Sequence, residues 1–167
     1  MIKNIVITGA NRGIGLAMCV HFKAQGDNVF ALCRQSSVEL EKLAVNIIED
    51  IDVATDLGIA NMVLALSHID IDVLVCNAGI LRDESLTELN LATIREQFEV
   101  NAIAPLRIVA SLQSHLNEGV KIALITSRMG SISDNGSGGR YGYFSSLCIE
   151  RIICRYFSLC YCIYKAT

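Results

Sequence analysis

An α/β fold, a doubly wound and mostly parallel sheet in three α/β/α layers, is predicted from three observations. Short aliphatic runs alternate along the chain with segments of helical spacing. Strands separated by helices need crossover connections, which make neighbouring strands parallel and cover both faces of the sheet. A glycine-rich turn joins the first apolar run directly to the first helical segment.

The strands and helices follow in order. Ile2 to Thr8 is an apolar run closed by Gly9 and reads as a buried strand. Residues 14–25 have helical spacing, with Ile14, Ala17, Met18 and Phe22 on one face and Gly26 as the stop. Val29 to Cys33 is a second strand, Val38 to Leu43 a short helix, and Asn46 to Val53 a third strand. Ala60 to Leu66 is helical, and Val73 to Cys76 is a fourth strand leading into Asn77-Ala78-Gly79. Leu86 to Leu116 is one long helical region with Pro105 near its middle, and Lys121 to Ser127 is a fifth strand. Residues 130–142 form a loop rich in Gly, Ser and Asn. The apolar tail from Leu147 to Tyr164 contains Glu150, Arg151 and Arg155, which argues against a membrane span.

Composition limits what such a fold can do. The 167 residues suffice for one domain with a core, and 52% hydrophobic against 19% charged residues is a globular balance. A net charge of −3 gives no basic field for nucleic acid or an anionic membrane. The seven cysteines contain no C-x-x-C pair, and no metal site is expected from them. Without a secretory signal, a cytoplasmic protein with reduced thiols is expected. Cys148, Cys154, Cys160 and Cys162 crowd into the tail, whereas all 12 glycines lie at or before Gly142. The composition therefore changes near residue 143, dividing a unit of residues 1–143 from a tail of residues 144–167.

Thr8-Gly9-Ala10-Asn11-Arg12-Gly13-Ile14-Gly15 follows a strand and opens a helix. Glycines there allow a tight turn and let backbone approach a pyrophosphate, whose charge sits on the helix N-terminus. This makes the sheet Rossmann-type. Its second strand is expected to end beside the adenosine ribose, where an acidic residue would hold the 2′-hydroxyl. The chain has Cys33-Arg34 there and Arg12 in the turn. Two guanidiniums without a carboxylate favour a 2′-phosphate, so NADP is expected over NAD.

These residues resemble the short-chain dehydrogenase/reductase family. The turn from Thr8 to Gly15 is similar to its cofactor loop, and Asp52-Val53 to the pair that holds adenine. Asn77-Ala78-Gly79 is similar to its strand-four motif, with Cys76 where many members carry Asn. Asn101 matches the asparagine that supports a proton-relay water, and Ser127 the catalytic serine. Ser127 to Tyr143 is similar to the C-factor-like branch, and Tyr143 matches its catalytic tyrosine. The resemblance implies hydride transfer between a nicotinamide and a small carbonyl or alcohol. It also implies pairing of chains through the helix of Asn101 and the helix after Tyr143.

The family places a lysine four residues after the tyrosine to lower its pKa and bind the nicotinamide ribose. A phenol titrates near pH 10 without such help and is a poor base at neutral pH. Here Leu147 stands at that place, and Ser145 follows the alternative Tyr141. A literal Tyr-x-x-x-Lys occurs only at Tyr161 to Lys165, where helical spacing would put both on one face. The resemblance further implies two more strands and a substrate-binding segment after the catalytic helix. The composition change then predicts a frameshifted or truncated member, its tail replacing the catalytic helix and its C-terminal strands missing. A non-catalytic nucleotide-binding or C-factor-like signalling protein is the alternative.

Overall fold

The computed structural model describes residues 1–82, 84–131, 140–155 and 160–165, and from residue 149 onward only the backbone course. Six parallel strands form one sheet in the order β3-β2-β1-β4-β5-β6. They are β1 (Asn4–Thr8), β2 (Asn28–Leu32), β3 (Asn46–Ile48), β4 (Ile71–Cys76), β5 (Leu116–Ser127) and β6 (Cys160–Lys165). The helices are α1 (Gly13–Ala24), α2 (Val38–Glu41), α3 (Asp56–Ala65), α4 (Leu91–Phe98), α5 (Ala104–Ser111) and α6 (Tyr141–Arg155). The strand order reverses between β1 and β4, and in such sheets the crevice at the carboxyl ends of those strands is where ligands bind.

Alternation within the strands divides the core between the two faces. Ile5, Ile7, Val29, Ala31 and Val75 turn to the side of α1, where Cys19 is buried among them. Val6, Leu74, Ile122 and Leu124 turn to the other side, against Ile59 and Met62 of α3 and Ile108 of α5. Burying both faces removes the in–out pattern from the strands, which is why they read as continuous apolar runs.

Several boundaries differ from the sequence reading. The buried face of α1 is Gly15 and Cys19, with Leu16, Met18 and Phe22 beside them, while Ile14 and Ala17 are exposed. Gly15 has no side chain, so hydrophobic periodicity could not show that its face is the one closest to the sheet. The third strand stops at Ile48, and Asp50 turns the chain at φ +59°. The helix read from Ala60 starts at Asp56, where the Thr55 hydroxyl accepts the Gly58 N–H at 3.0 Å.

The long helical region divides into α4, a π turn at Glu99–Ile103, and α5. Pro105 has no N–H and crowds the carbonyl four residues back, which is that of Asn101, so the helix widens there. Asn90 starts α4 by accepting the N–H groups of Ala92 and Thr93.

The tail supplies one strand beyond the five read in the sequence. Its Tyr161 and Lys165 lie on β6, in register with Ala123 and Ser127, and not on a helix. Four residues along a strand span about 13 Å, so the helical one-face pairing expected for Tyr161 and Lys165 is not formed. Most of the loop read at residues 130–142 lies outside the described residues. Among the described residues, no helix is long and apolar enough to cross a membrane, and Cys19 and Cys33 are free thiols.

Candidate functional site

The turn after β1 is held by hydrogen bonds from Thr8 and Asn77. The Thr8 hydroxyl accepts the N–H groups of Asn77 and Ala78, each at 3.1 Å, and donates to the Val75 carbonyl at 3.4 Å. Asn77 Nδ2 donates to the carbonyls of Thr8 and Gly9, both at 3.0 Å. These bonds join the ends of β1 and β4 at the point where the strand order reverses. Asn77 Oδ1 is buried with no hydrogen-bond partner among the described residues.

The glycines of the turn do two different things. At Gly15 a Cβ would stand 2.3 Å from the Gly9 carbonyl and 2.6 Å from Asn77 Nδ2, so only hydrogen fits between α1 and the strands. Gly9 adopts φ +65°, and a Cβ there would lie 2.8 Å from Ala78 Cα. Gly13 adopts φ +55° with nothing within 4 Å of a Cβ, leaving bare backbone facing open space at the start of α1. An anionic group can approach the backbone there.

Arg12 precedes α1, and Arg34 follows β2. Both are exposed, and neither makes an ion pair among the described residues. Asn11 ties the two segments together: its Nδ2 donates to the Gln35 carbonyl at 2.9 Å, and its carbonyl accepts the Ser37 hydroxyl at 2.7 Å. Ser37 also caps α2, a role signalled by serine before Val38-Glu39-Leu40 but not taken up in the sequence reading. Asp52 shapes the turn after β3, its Oδ1 accepting the Ala54 N–H at 3.0 Å, and Val53 is buried beside it. Gly58 permits this arrangement, because a Cβ there would meet the Asp52 carbonyl at 2.0 Å.

The second half of the site is a pocket of about 90 Å³ lined by Ala78, Gly79, Ile80, Asn101, Tyr143 and Leu147, among others. Asn101 sits in the π turn and clamps the segment after β4. Its Oδ1 accepts the Ile80 N–H at 2.9 Å, and its Nδ2 donates to the Ile80 carbonyl at 2.9 Å and to the Ser146 hydroxyl at 3.1 Å. Ser146 is fully buried and donates to the Tyr143 carbonyl at 2.8 Å. The asparagine thus holds α6 against the β4 end through Ser146, a residue the sequence reading passed over. Its only sequence signal is its place three residues after Tyr143.

Ser127 ends β5 fully buried, its hydroxyl oxygen accepting the Met129 N–H at 3.3 Å. Tyr143 is half-buried and lines the pocket together with Leu147 one turn on. Leu147 is 3% exposed and lies so close to Gly130 that a Cβ there would stand 2.7 Å from its own. The position four residues after the tyrosine therefore faces the pocket, with an apolar side chain in place of a cation.

A family model described as short chain dehydrogenase matches residues 3–146. The chain is 29% identical over 143 residues to 1-hydroxy-2-glutathionyl-2-methyl-3-butene dehydrogenase of Rhodococcus sp. (strain AD45), covering 84% of this chain and 63% of that protein. It is 37% identical over 76 residues to C-signal of Myxococcus xanthus, covering 44% of this chain and 46% of that protein. Both relatives are thus longer than the part of them that this chain spans. Among solved structures, a carbonyl reductase from Pseudomonas aeruginosa PAO1 in complex with NADP superposes with a TM-score of 0.85 at 29% identity, covering 92% of this chain and 74% of that one. The matched span contains the glycine turn after β1, the Asn77-Ala78-Gly79 end of β4, the π-turn asparagine and Ser127, and on that basis the chain belongs to the short-chain dehydrogenase family.

Proposed function

We propose that this chain binds a phosphorylated nicotinamide dinucleotide, NADP in preference to NAD, across the carboxyl ends of β1, β2 and β4. The observation that carries the reading is the bare backbone at Gly13, opposite the close-packed Gly9 and Gly15. Thr8, Asn11 and Asn77 hold that turn in shape. Gly9, Gly13, Ile14 and Gly15 would receive the pyrophosphate, Arg12 and Arg34 the 2′-phosphate, and Asp52 and Val53 the adenine. Ala78 and Gly79 line the pocket that would take the nicotinamide.

The bound dinucleotide would supply or accept a hydride; the protein's part is to hold and move a proton. Ser127 would donate a hydrogen bond to a carbonyl oxygen, where charge develops in the transition state. Tyr143 would pass the proton, and Asn101 would support a relay water, Pro105 offering no N–H to the Asn101 carbonyl. Leu147 cannot favour the phenolate or hold the ribose. Turnover of a small carbonyl or alcohol is therefore strongly impaired in this reading.

A second reading, binding without turnover, draws on the same buried Leu147 and on the similarity to C-signal. Titration with NADPH separates the two: nicotinamide fluorescence rises on binding, and its absorbance falls only on turnover. Absence of any fluorescence change would sink both. Carbonyl-dependent turnover that Tyr143→Phe abolishes would reject the second reading and the impairment assigned to Leu147.

A further inference from the structure

The residue that follows β3, Glu49, carries a carboxylate. Beyond β2 and β3 the two chains stay joined: Cys33 N donates to the Ile48 carbonyl at 3.0 Å, Ile51 N to the Cys33 carbonyl at 3.0 Å, and Asp50 N to the Arg34 carbonyl at 3.3 Å. This brings Glu49 beside the segment Arg34-Gln35-Ser36-Ser37. Its Oε1 accepts the backbone N–H of Ser36 at 2.5 Å. The same segment is fastened on its other side to the phosphate turn, through Asn11 to Gln35 and Ser37 to Asn11. Glu49 thus stands where the loop carrying Arg34 meets the turn carrying Arg12. Its charge reaches the loop: the Cys33 thiol is pushed up by burial and, second, by Glu49.

Resting on the dinucleotide reading, we propose that Glu49 is a specificity-determining residue that opposes the 2′-phosphate. A backbone N–H donating to a carboxylate is not available to a phosphate. A negative charge hydrogen-bonded to the segment that carries Arg34 would also repel a dianion held by that arginine, while a ribose 2′-hydroxyl meets no such penalty. Arg12 and Arg34 favour NADP, and Glu49 reduces that preference, leaving the site closer to dual use than its arginines alone imply. Glu49 is exposed, so replacing it opens no cavity.

The test is isothermal titration of the full chain and of Glu49→Gln with adenosine 2′,5′-bisphosphate and with AMP, which differ only in the 2′-phosphate. The variant should bind the bisphosphate about threefold to tenfold tighter, with AMP affinity unchanged and the gain shrinking as salt is added. Bisphosphate affinity that is unchanged or weakened in the variant overturns the proposal and leaves the dinucleotide reading standing. Failure of both nucleotides to bind the unaltered chain overturns that reading, and the role of Glu49 with it.

Discussion

Gly15 has the least room of the three glycines in the turn after β1. A methyl group there meets the Gly9 carbonyl and the Asn77 amide, neither of which can move without breaking the bonds that join β1 to β4. Gly15→Ala should therefore cost about 2–4 kcal/mol, as overpacking against fixed backbone does. A urea midpoint shifted by the equivalent of under about 1 kcal/mol would contradict this. Gly13→Ala faces only backbone strain, since nothing lies within reach of its Cβ, and should weaken dinucleotide binding more than folding. At the other end of the site, Leu147→Lys places an ammonium one turn from Tyr143. Alcohol-dependent NADP reduction, in which the phenolate is the base, should then rise by up to about tenfold for each unit by which the phenol pKa falls, and the rate's pH profile should move to lower pH. No gain in that variant would mean that more than the cation is missing.

Helices and strands here are held to one another by side chains that accept backbone N–H groups. Asn101 is one such link, available because Pro105 opens the helix into a π turn beneath the β4 end. Asp72 is another, at the opposite end of the sheet. Its Oδ2 accepts the Asn4 N–H at 2.8 Å and its Oδ1 the Asn117 amide at 2.7 Å, joining β4 to β1 and to the start of β5. Those bonds, the Asn4 N–H first, hold its pKa below the usual carboxylate value of 3.8. The folded pKa lies below the unfolded one, so the stabilisation is present above pH 3.8 and is lost as pH falls through the folded value. Asp72→Asn should be less stable at neutral pH and should lose less of its remaining stability on acidification. Parallel acid-unfolding curves for the two proteins would refute this. Asn90, Thr55 and Ser37 as helix starts are legible from residue type alone. The π turn is legible only as a proline out of place, because the sequence does not say which way a crowded helix relaxes.

Among the described residues, most buried apolar side chains lie in two clusters, one on each face of a single sheet. Both clusters depend on the strand ends at which the dinucleotide is proposed to bind, so binding should stabilise the entire fold. At a hundredfold excess over Kd, NADPH should add about 2.7 kcal/mol and raise Tm, read by thermal unfolding with and without the nucleotide. An unchanged Tm under those conditions would reject the site. The opposite pH extreme should weaken the same fold. Burial pushes the Cys19 thiol up to about 11 from 9.0, so the unfolded chain ionises first and stability falls between those two values.

What the sequence by itself determined was the alternation of buried strands with helices, the glycine turn and the identity of the residue four places after Tyr143. These are local properties: spacing, glycine at the one connection that needs it, and a leucine where a lysine is expected. What only the tertiary structure decided was which residues meet. Ser146 reaches Asn101 from 45 positions away, Leu147 closes onto Gly130, and Glu49 comes to the Ser36 amide because β2 and β3 lie side by side. The sixth strand is likewise a tertiary outcome, since a parallel strand has no hydrogen-bond partners until its neighbour is in place. Contacts of that kind leave no periodic trace in the chain, and they decide how the phosphate turn and the Tyr143 pocket are held.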